Sequence, residues 1–108
     1  MPSKEWEIWL DHNIRIRVRL ITDNRGNVDR FTVQLEIWLE EQWSPVVRYD
    51  NAHEEAHIDY VNPKGVTYQK EWLGLRWPFN SAFTQAREEL EEDYQNHIAR
   101  FITQLEGN

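Results

Sequence analysis

The sequence predicts an α+β protein, with an antiparallel sheet of about six strands in a meander and one long C-terminal helix packed on a face. Two observations carry this prediction. Apolar and polar residues alternate with a period of two through most of residues 5–72, which is typical of strands that bury one face. After Gly74 and Pro78 the apolar period changes to three and four residues, which indicates an amphipathic helix.

The first three strands have the clearest alternation. Residues 5–10 place Trp6, Ile8 and Leu10 on one face, and residues 11–13 supply turn chemistry. Residues 14–20 alternate four aliphatic side chains with three arginines, and a hairpin turn with Gly26 is predicted at residues 23–27. The third strand alternates Phe31, Val33, Leu35, Ile37 and Leu39 with Thr32, Gln34, Glu36, Trp38 and Glu40.

The next three strands are less regular. The fourth covers residues 43–50, with Pro45 indicating an edge or a strand start. A loop at residues 51–56 leads into a fifth strand at residues 57–61, and the turn 62–65 leads into a sixth at residues 66–72. The predicted faces of the fourth strand are Trp43, Pro45, Val47 and Tyr49 on one side, and Val46, Arg48 and Asp50 on the other.

The helix is predicted to begin near Asn80 or Ser81, either of which could cap it, and to end at Gly107. At about 1.5 Å per residue it is long enough to cross the whole sheet. Its apolar stripe is Phe83, Ala86, Leu90, Tyr94, His97, Ile98, Phe101, Ile102 and Leu105. We expect this stripe to cover the apolar face of the third strand, because neither surface is buried without the other.

Composition narrows the class of protein. The chain has 108 residues and is expected to form a single α+β domain over residues 1–108. It has no cysteine, which excludes zinc fingers, thiol nucleophiles and disulfide frameworks. No apolar run approaches the roughly 20 residues that span a bilayer, and the polar N-terminus does not resemble a signal peptide. We therefore expect a soluble cytoplasmic protein with no membrane association.

The formal net charge of -7 argues against general nucleic-acid binding, although much of the acid lies in residues 88–93. The local basic feature is the arginine stripe, Arg15, Arg17 and Arg19. It could line a groove that follows phosphates. Acidic and amide side chains on the flanking strands favour cross-strand ladders instead, with Glu5, Glu7, Gln34 and Glu36 as partners.

Candidate chemistry is concentrated in residues 48–59. Strand parity puts Arg48 and Asp50 on one face of the fourth strand, and His57 and Asp59 on one face of the fifth. A hairpin joining these strands brings the four together, with His53 in the loop close above. Three uses follow: an Asp-oriented histidine as general base with Arg48 stabilising a phosphoryl charge, a His/His/Asp metal site, or direct binding of an anion. The competing interpretation is an ordinary cross-strand ion pair with surface histidines.

The segment Arg-Tyr-Asp-Asn-Ala-His, followed by a spaced histidine, resembles a motif of small uncharacterised prokaryotic proteins. More distantly it is similar to the Arg-Tyr/Trp-Asp-Asn-Ala segment of TumE-like toxins from toxin-antitoxin pairs. The likeness covers about 25 residues, 48–72. The TumE-like pattern continues with a proline and adjacent histidines, where this chain has His53, Glu54 and Glu55.

The resemblance implies a small toxin-like protein, with RNA as a candidate substrate and a protein partner encoded beside it. The candidate catalytic residues are Arg48, Asp50, His53, His57 and Asp59, with no cofactor and no assigned metal. The alternative is a non-enzymatic protein-protein interaction module that uses the sheet face and the tryptophans.

Overall fold

A computed structural model of the chain describes residues 2–52, 54–74 and 78–107. It contains one six-stranded antiparallel sheet in the order of the chain, followed by one helix, which confirms the predicted fold class. The elements are β1 Ser3–Asp11, β2 Ile14–Thr22, β3 Val28–Leu39, β4 Gln42–Asp50, β5 His57–Val61, β6 Thr67–Trp72 and α1 Phe79–Glu106.

The sheet has one face covered by α1 and one face that we call the open face, since no described element packs over it. Cross-strand register defines the covered face. Val33 lies between Val18 of β2 and Tyr49 of β4, and Tyr49 lies opposite Ile58 of β5. These apolar residues are buried, whereas the alternate positions on the same strands are mostly polar and belong to the open face.

The hydrophobic core lies between α1 and the central strands β3 and β4. Phe83 makes edge-on ring contacts with Trp6 and Phe31, while Leu90 and Phe101 are fully buried farther along the helix. The expected packing of the helix stripe on the third strand is thus confirmed. Leu105, expected to belong to this stripe, is instead exposed, because it lies in the last turn of α1.

The predicted N-terminal cap of the helix was wrong, whereas the predicted C-terminal cap, Gly107, is confirmed. α1 begins at Phe79, with Pro78 at the capping position and no side-chain cap. The Asn80 side chain binds away from the helix, since its Oδ1 accepts a hydrogen bond from the backbone N–H of Val28 and its Nδ2 donates to Asn27. Gly107 does follow the last helical residue, but its φ of -77° needs no glycine.

The predicted faces of β4 were wrong for its first half. Leu35 pairs with Val47 whereas Glu36 pairs with Pro45, so Val46 is an extra residue in a β-bulge. The bulge puts Trp43 on the open face, on the side of Arg48 and not of Tyr49. Pro45 precedes the stretch of β4 that pairs with β5, which is why a proline is tolerated there.

Among the residues that the structure describes, no helix has the length and apolar character needed to cross a membrane.

Candidate functional site

Two rows of polar side chains cross the open face in register. One row runs Glu7, Arg17, Gln34, Arg48, Asp59 and Lys70, with one residue from each strand. The next runs Glu5, Arg19, Thr32, Asp50, His57 and Trp72. Because facing side chains in a sheet lie about 5 Å apart, every member of a row can contact its neighbours.

The predicted convergence of Arg48, Asp50, His57 and Asp59 is confirmed, and we call these four residues the charge cluster. Arg48 pairs with Asp59 and Asp50 pairs with His57 in the β4–β5 register. His57 Nε2 lies 2.9 Å from Asp50 Oδ1 and 3.6 Å from Asp59 Oδ2, and Arg48 Nη1 lies 3.7 Å from Asp59 Oδ2. His53, predicted to lie above them, is outside the described residues.

Both ring nitrogens of His57 face oxygen atoms. Its Nδ1 lies 3.1 Å from the backbone oxygen of Glu55, which can only accept, and its Nε2 faces the Asp50 carboxylate. The ring is 2% exposed and tilts against Trp72, with 5.0 Å between ring centroids. His57 is therefore held in place beneath the surface, and the more exposed members of the cluster are the ones able to contact a ligand.

Asp59 is the buried carboxylate of the cluster. Its Oδ1 accepts no hydrogen bond from any described residue, although Lys70 Nζ lies 3.2 Å away as an ion pair. Asp50, His57 and Asp59 each offer a donor atom, and these atoms lie within 4.8 Å of one another, as in a small metal site. The cationic groups of Arg48 and Lys70 already neutralise Asp59, which favours an ion-paired network over a divalent cation.

Two adjoining concavities lie on the open face beside the cluster, and we call them together the arginine groove. The larger, about 630 Å³, is lined by residues that include Arg15, Arg17, Arg19 and Gln34. The smaller, about 190 Å³, is lined by residues that include Arg19, Arg30 and Asp50. Arg19 and Thr32 line both. Since Asp50 lies at one end, the groove leads from β1 and β2 to the charge cluster.

The arginine stripe forms the predicted cross-strand ladder. Arg15 Nε donates to Glu36 at 2.8 Å and its Nη1 donates to Glu7 at 2.6 Å, while Arg19 Nε donates to Glu5 at 3.2 Å. Arg17 Nη1 is 3.7 Å from Glu36 Oε2. Arg15 is largely buried, whereas the side chains of Arg17 and Arg19 are more than half exposed. The stripe is therefore a cross-strand ladder in which the side chains of Arg17 and Arg19 remain accessible to solvent.

Two further residues shape this surface. Asn51, in the loop predicted after the fourth strand, is buried, and its Oδ1 accepts a hydrogen bond from the Phe31 N–H while its Nδ2 donates to the Asp29 oxygen. It therefore fixes the end of β4 to the start of β3. Arg30 lines the smaller concavity and is exposed, and it makes no hydrogen bond or ion pair with any residue that the structure describes. No local pattern distinguishes Asn51, whereas Arg30 is a basic residue of a neighbouring strand that could extend the arginine stripe.

A second polar network lies on the covered face, beneath α1. The Tyr49 hydroxyl donates to Glu89 at 2.9 Å, and His97 Nε2 lies 3.0 Å from the same carboxylate. Burial alone raises the pKa of Glu89, but the hydrogen bond and charge of His97, the Tyr49 hydroxyl and the charge of Arg100 outweigh it and lower the pKa. Burial and the nearby Glu89 raise the pKa of Tyr49. His97 is thus a packed residue of the helix–sheet interface, as the sequence favoured.

Comparison with known proteins identifies a family whose description gives no function. No curated protein and no solved structure matched the chain. A family model described as "Domain of unknown function (DUF7718)" matches residues 1–107, which is nearly the full length. The chain therefore belongs to the DUF7718 family.

Proposed function

We propose that this protein is a toxin-like RNA-cleaving protein that binds RNA in the arginine groove and cleaves it at the charge cluster. The observation that carries the proposal is that the groove and the cluster meet at Asp50, which lines the smaller concavity beside Arg19 and Arg30. Guanidinium groups bind phosphate oxygens well, and Arg30 has no hydrogen-bond or ion-pair partner among the described residues. The resemblance to TumE-like toxins points to the same substrate.

The two more exposed residues of the cluster are the proposed contacts with RNA. The side chains of Arg48 and Asp50 are 31% and 14% exposed, against 2% for His57. Arg48 would stabilise the charge of the phosphate in the transition state. His57 would hold Asp50 in position, and Asp59 would hold Arg48. His53, predicted from the sequence to take part, keeps that role in the proposal.

The chemistry requires no cofactor. The 2′-hydroxyl of the RNA attacks the neighbouring phosphorus and gives up its proton to a base, for which Asp50 is the candidate. The bond from phosphorus to the 5′-oxygen breaks, and that oxygen takes a proton from water, while Asp50 returns the proton it accepted to water. The products are a 2′,3′-cyclic phosphate and a free 5′-hydroxyl. A cytoplasmic location and a neutralising protein partner encoded nearby complete the toxin-like proposal.

The test is RNA cleavage by the purified protein, with and without EDTA, beside Asp50→Asn and His57→Ala. We expect cleavage to survive EDTA and to fall at least tenfold in both variants, because general acid–base catalysis contributes typically about 10²- to 10⁴-fold. His12→Ala is the matched control, since His12 is an exposed turn residue outside the cluster. Cleavage that is equal in all three variants would remove the charge cluster from the mechanism, and cleavage abolished by EDTA would favour the metal site.

The second candidate is a non-enzymatic interaction module. It is favoured by the exposed tryptophans of the sheet, Trp9, Trp38 and Trp72, since aromatic residues are enriched at protein interfaces. A double change at His53 and His57 separates the candidates. An enzyme would lose activity while staying folded, whereas a binding module would retain its protein partner.

A further inference from the structure

We propose that the tryptophans beside the arginine groove stack on the bases of single-stranded RNA, so that the open face binds an unpaired strand upstream or downstream of the charge cluster. This inference deepens the proposed function and rests on it for the identity of the ligand as RNA. It concerns binding, which is measurable apart from cleavage.

The aromatic surface consists of Trp9, Trp38 and Trp43, which we call the tryptophan cluster. Trp43 lies at its centre, with ring centroids 5.5 Å from Trp9 and 5.4 Å from Trp38, both edge-on. Trp9 is 56% exposed and Trp38 is 43% exposed. An edge-on contact occupies only part of an indole, so each outer ring keeps a large surface in solvent. Exposed aromatic groups of this size commonly mark binding sites.

The tryptophan cluster is held in place by Arg15, which contacts the rings of Trp43 and Trp9. The Arg15 guanidinium carbon lies 4.0 Å from the centroid of the Trp43 ring and 5.8 Å from that of Trp9, in cation–π contact. Arg15 is itself fixed by its ion pairs with Glu7 and the buried Glu36. A fixed aromatic surface loses little conformational entropy when a planar ligand stacks on it. The ladder therefore has a second role as the support of the tryptophan cluster.

The tryptophan cluster is continuous with the arginine groove. Trp9 faces Arg15 across β1 and β2, and Arg15 also lines the groove. Arg17 and Arg19 follow at two-residue steps on the same strand face, each step being about 6.5 Å. Arg30 and Asp50 lie beyond them in the smaller concavity. Planar rings thus lie at one end, exposed guanidinium groups in the middle and the charge cluster at the far side.

The charge of the open face suits a nucleic acid. Among the described residues, its cationic members are Arg15, Arg17, Arg19, Arg30, Arg48 and Lys70, and its acidic members are Glu5, Glu7, Glu36, Asp50 and Asp59. The cations slightly outnumber the acids, although the chain as a whole carries -7. A polyanion would therefore approach this face and not the acidic outer side of α1.

Stacking of bases on the tryptophan cluster should favour single-stranded over double-stranded nucleic acid. The bases of a duplex are stacked on one another and present only their edges, whereas unpaired bases offer a ring face to aromatic side chains. A single strand presents both ring faces and phosphates along one chain, which matches the order of groups on the open face. We therefore expect weak sequence preference and a preference for single-stranded over double-stranded RNA.

The experiment is fluorescence anisotropy with a labelled 2′-O-methyl oligonucleotide, which lacks the attacking hydroxyl and so reports binding alone. The intact protein should bind this strand and should prefer it to the corresponding duplex. Trp9→Ala and Trp38→Ala should each weaken binding by roughly 5- to 100-fold, the range for one stacked base. Trp9→Phe should retain most of the affinity, and Leu105→Ala, an exposed apolar residue of α1, should change nothing.

Salt dependence tests the groove. Arg19→Gln should lower the slope of log Kd against log salt by roughly 0.7, as expected for one lost phosphate contact on a single strand. Lys64→Gln, in the turn between β5 and β6, is the charge control. The thermal unfolding midpoint of each variant shows whether it is folded.

These experiments distinguish failure of the stacking inference from failure of the proposed RNA cleavage. Affinity unchanged in folded Trp9→Ala and Trp38→Ala, or tighter binding to the duplex, overturns the inference. Tryptophan-dependent binding without cleavage of natural RNA supports the inference and overturns the proposed activity. Binding of a purified partner protein that needs Trp9 and Trp38, with no RNA bound, overturns it in favour of a protein interface.

Discussion

At the scale of single residues, burial decides which members of the charge cluster can act on a ligand. The sequence predicts His57 as a candidate catalytic residue, yet His57 is the least exposed member of the charge cluster. Parity within each strand, together with a hairpin joining β4 and β5, correctly predicted that its side chain lies beside Asp50 and Asp59. Parity says nothing about how deep a side chain lies, which depends on Trp72 covering it from β6.

Among the polar residues of the segment 48–59, Asn51 should be the one whose replacement lowers the free energy of unfolding most. Asn51→Ala would leave the buried N–H of Phe31 without its acceptor, which costs about 1 to 3 kcal/mol of the free energy of unfolding. Urea denaturation measures this loss. Asn24→Ala, in the exposed turn between β2 and β3, is the control and should change stability by less than about 0.5 kcal/mol. Equal effects at the two positions would contradict a clamping role.

Replacing an exposed or a buried residue of the arginine ladder should lower the free energy of unfolding by different amounts. Arg17→Gln should lower the free energy of unfolding by no more than about 1 kcal/mol, because the pair is long and half-exposed. Glu36→Gln should cost more, about 2 to 4 kcal/mol, since it leaves the largely buried Arg15 without its buried carboxylate partner. Denaturation curves for both variants provide the comparison. A larger loss in Arg17→Gln would mean that the exposed arginine, not the buried one, holds the ladder.

At the scale of elements, the sequence predicted all six strands and the helix, most clearly where an element such as β2 or β3 buries one face and so has a regular apolar period. The bulge at Val46 was missed for a physical reason. Val46 and Val47 are both apolar, so an inserted residue does not interrupt the local pattern, and only pairing with β3 reveals it. The tryptophan cluster depends on that bulge, which brings Trp43 to the face of Trp9. It could not be predicted from alternation alone.

The packing of α1 should account for much of the stability of the sheet. Leu90 is fully buried, so Leu90→Ala should cost about 2 to 5 kcal/mol, while Leu105→Ala in the exposed last turn should cost less than about 1 kcal/mol. Chemical denaturation of the two leucine variants gives a matched pair. A truncated chain that ends at residue 80 should fail to form a stable sheet, because the buried faces of β3 and β4 would lie in water. A soluble, cooperatively folding truncated sheet would contradict this.

At the scale of the whole molecule, the two faces of the sheet carry different charge. The helix presents Glu88, Glu91 and Glu92 to solvent, whereas the open face is nearly neutral, so the net charge of -7 describes one side of the protein. The net charge of the whole chain therefore does not describe the open face. This separation follows from topology, since a meander with one helix covers one sheet face and leaves the other uncovered.

The helix and the sheet are also joined by tyrosines that should limit stability at high pH. Burial raises the pKa of Tyr49 and Tyr60 above the ordinary value of 10.0, so the folded state favours their neutral form. A group whose pKa is raised on folding contributes stability that is fully present below its unfolded pKa and is lost as pH rises towards its folded pKa. The free energy of unfolding should therefore fall above about pH 10.

Tyr49→Phe is the variant that tests this pH dependence. The change removes the titrating hydroxyl, together with its hydrogen bond to Glu89, so the variant should be less stable at neutral pH but lose less stability between about pH 9 and pH 11. Urea denaturation at each pH measures the difference. Tyr68→Phe, at an exposed position of β6, should follow the original chain throughout. If Tyr49→Phe loses stability as steeply as the original chain, the alkaline loss must come from groups other than the buried phenol that joins β4 to α1.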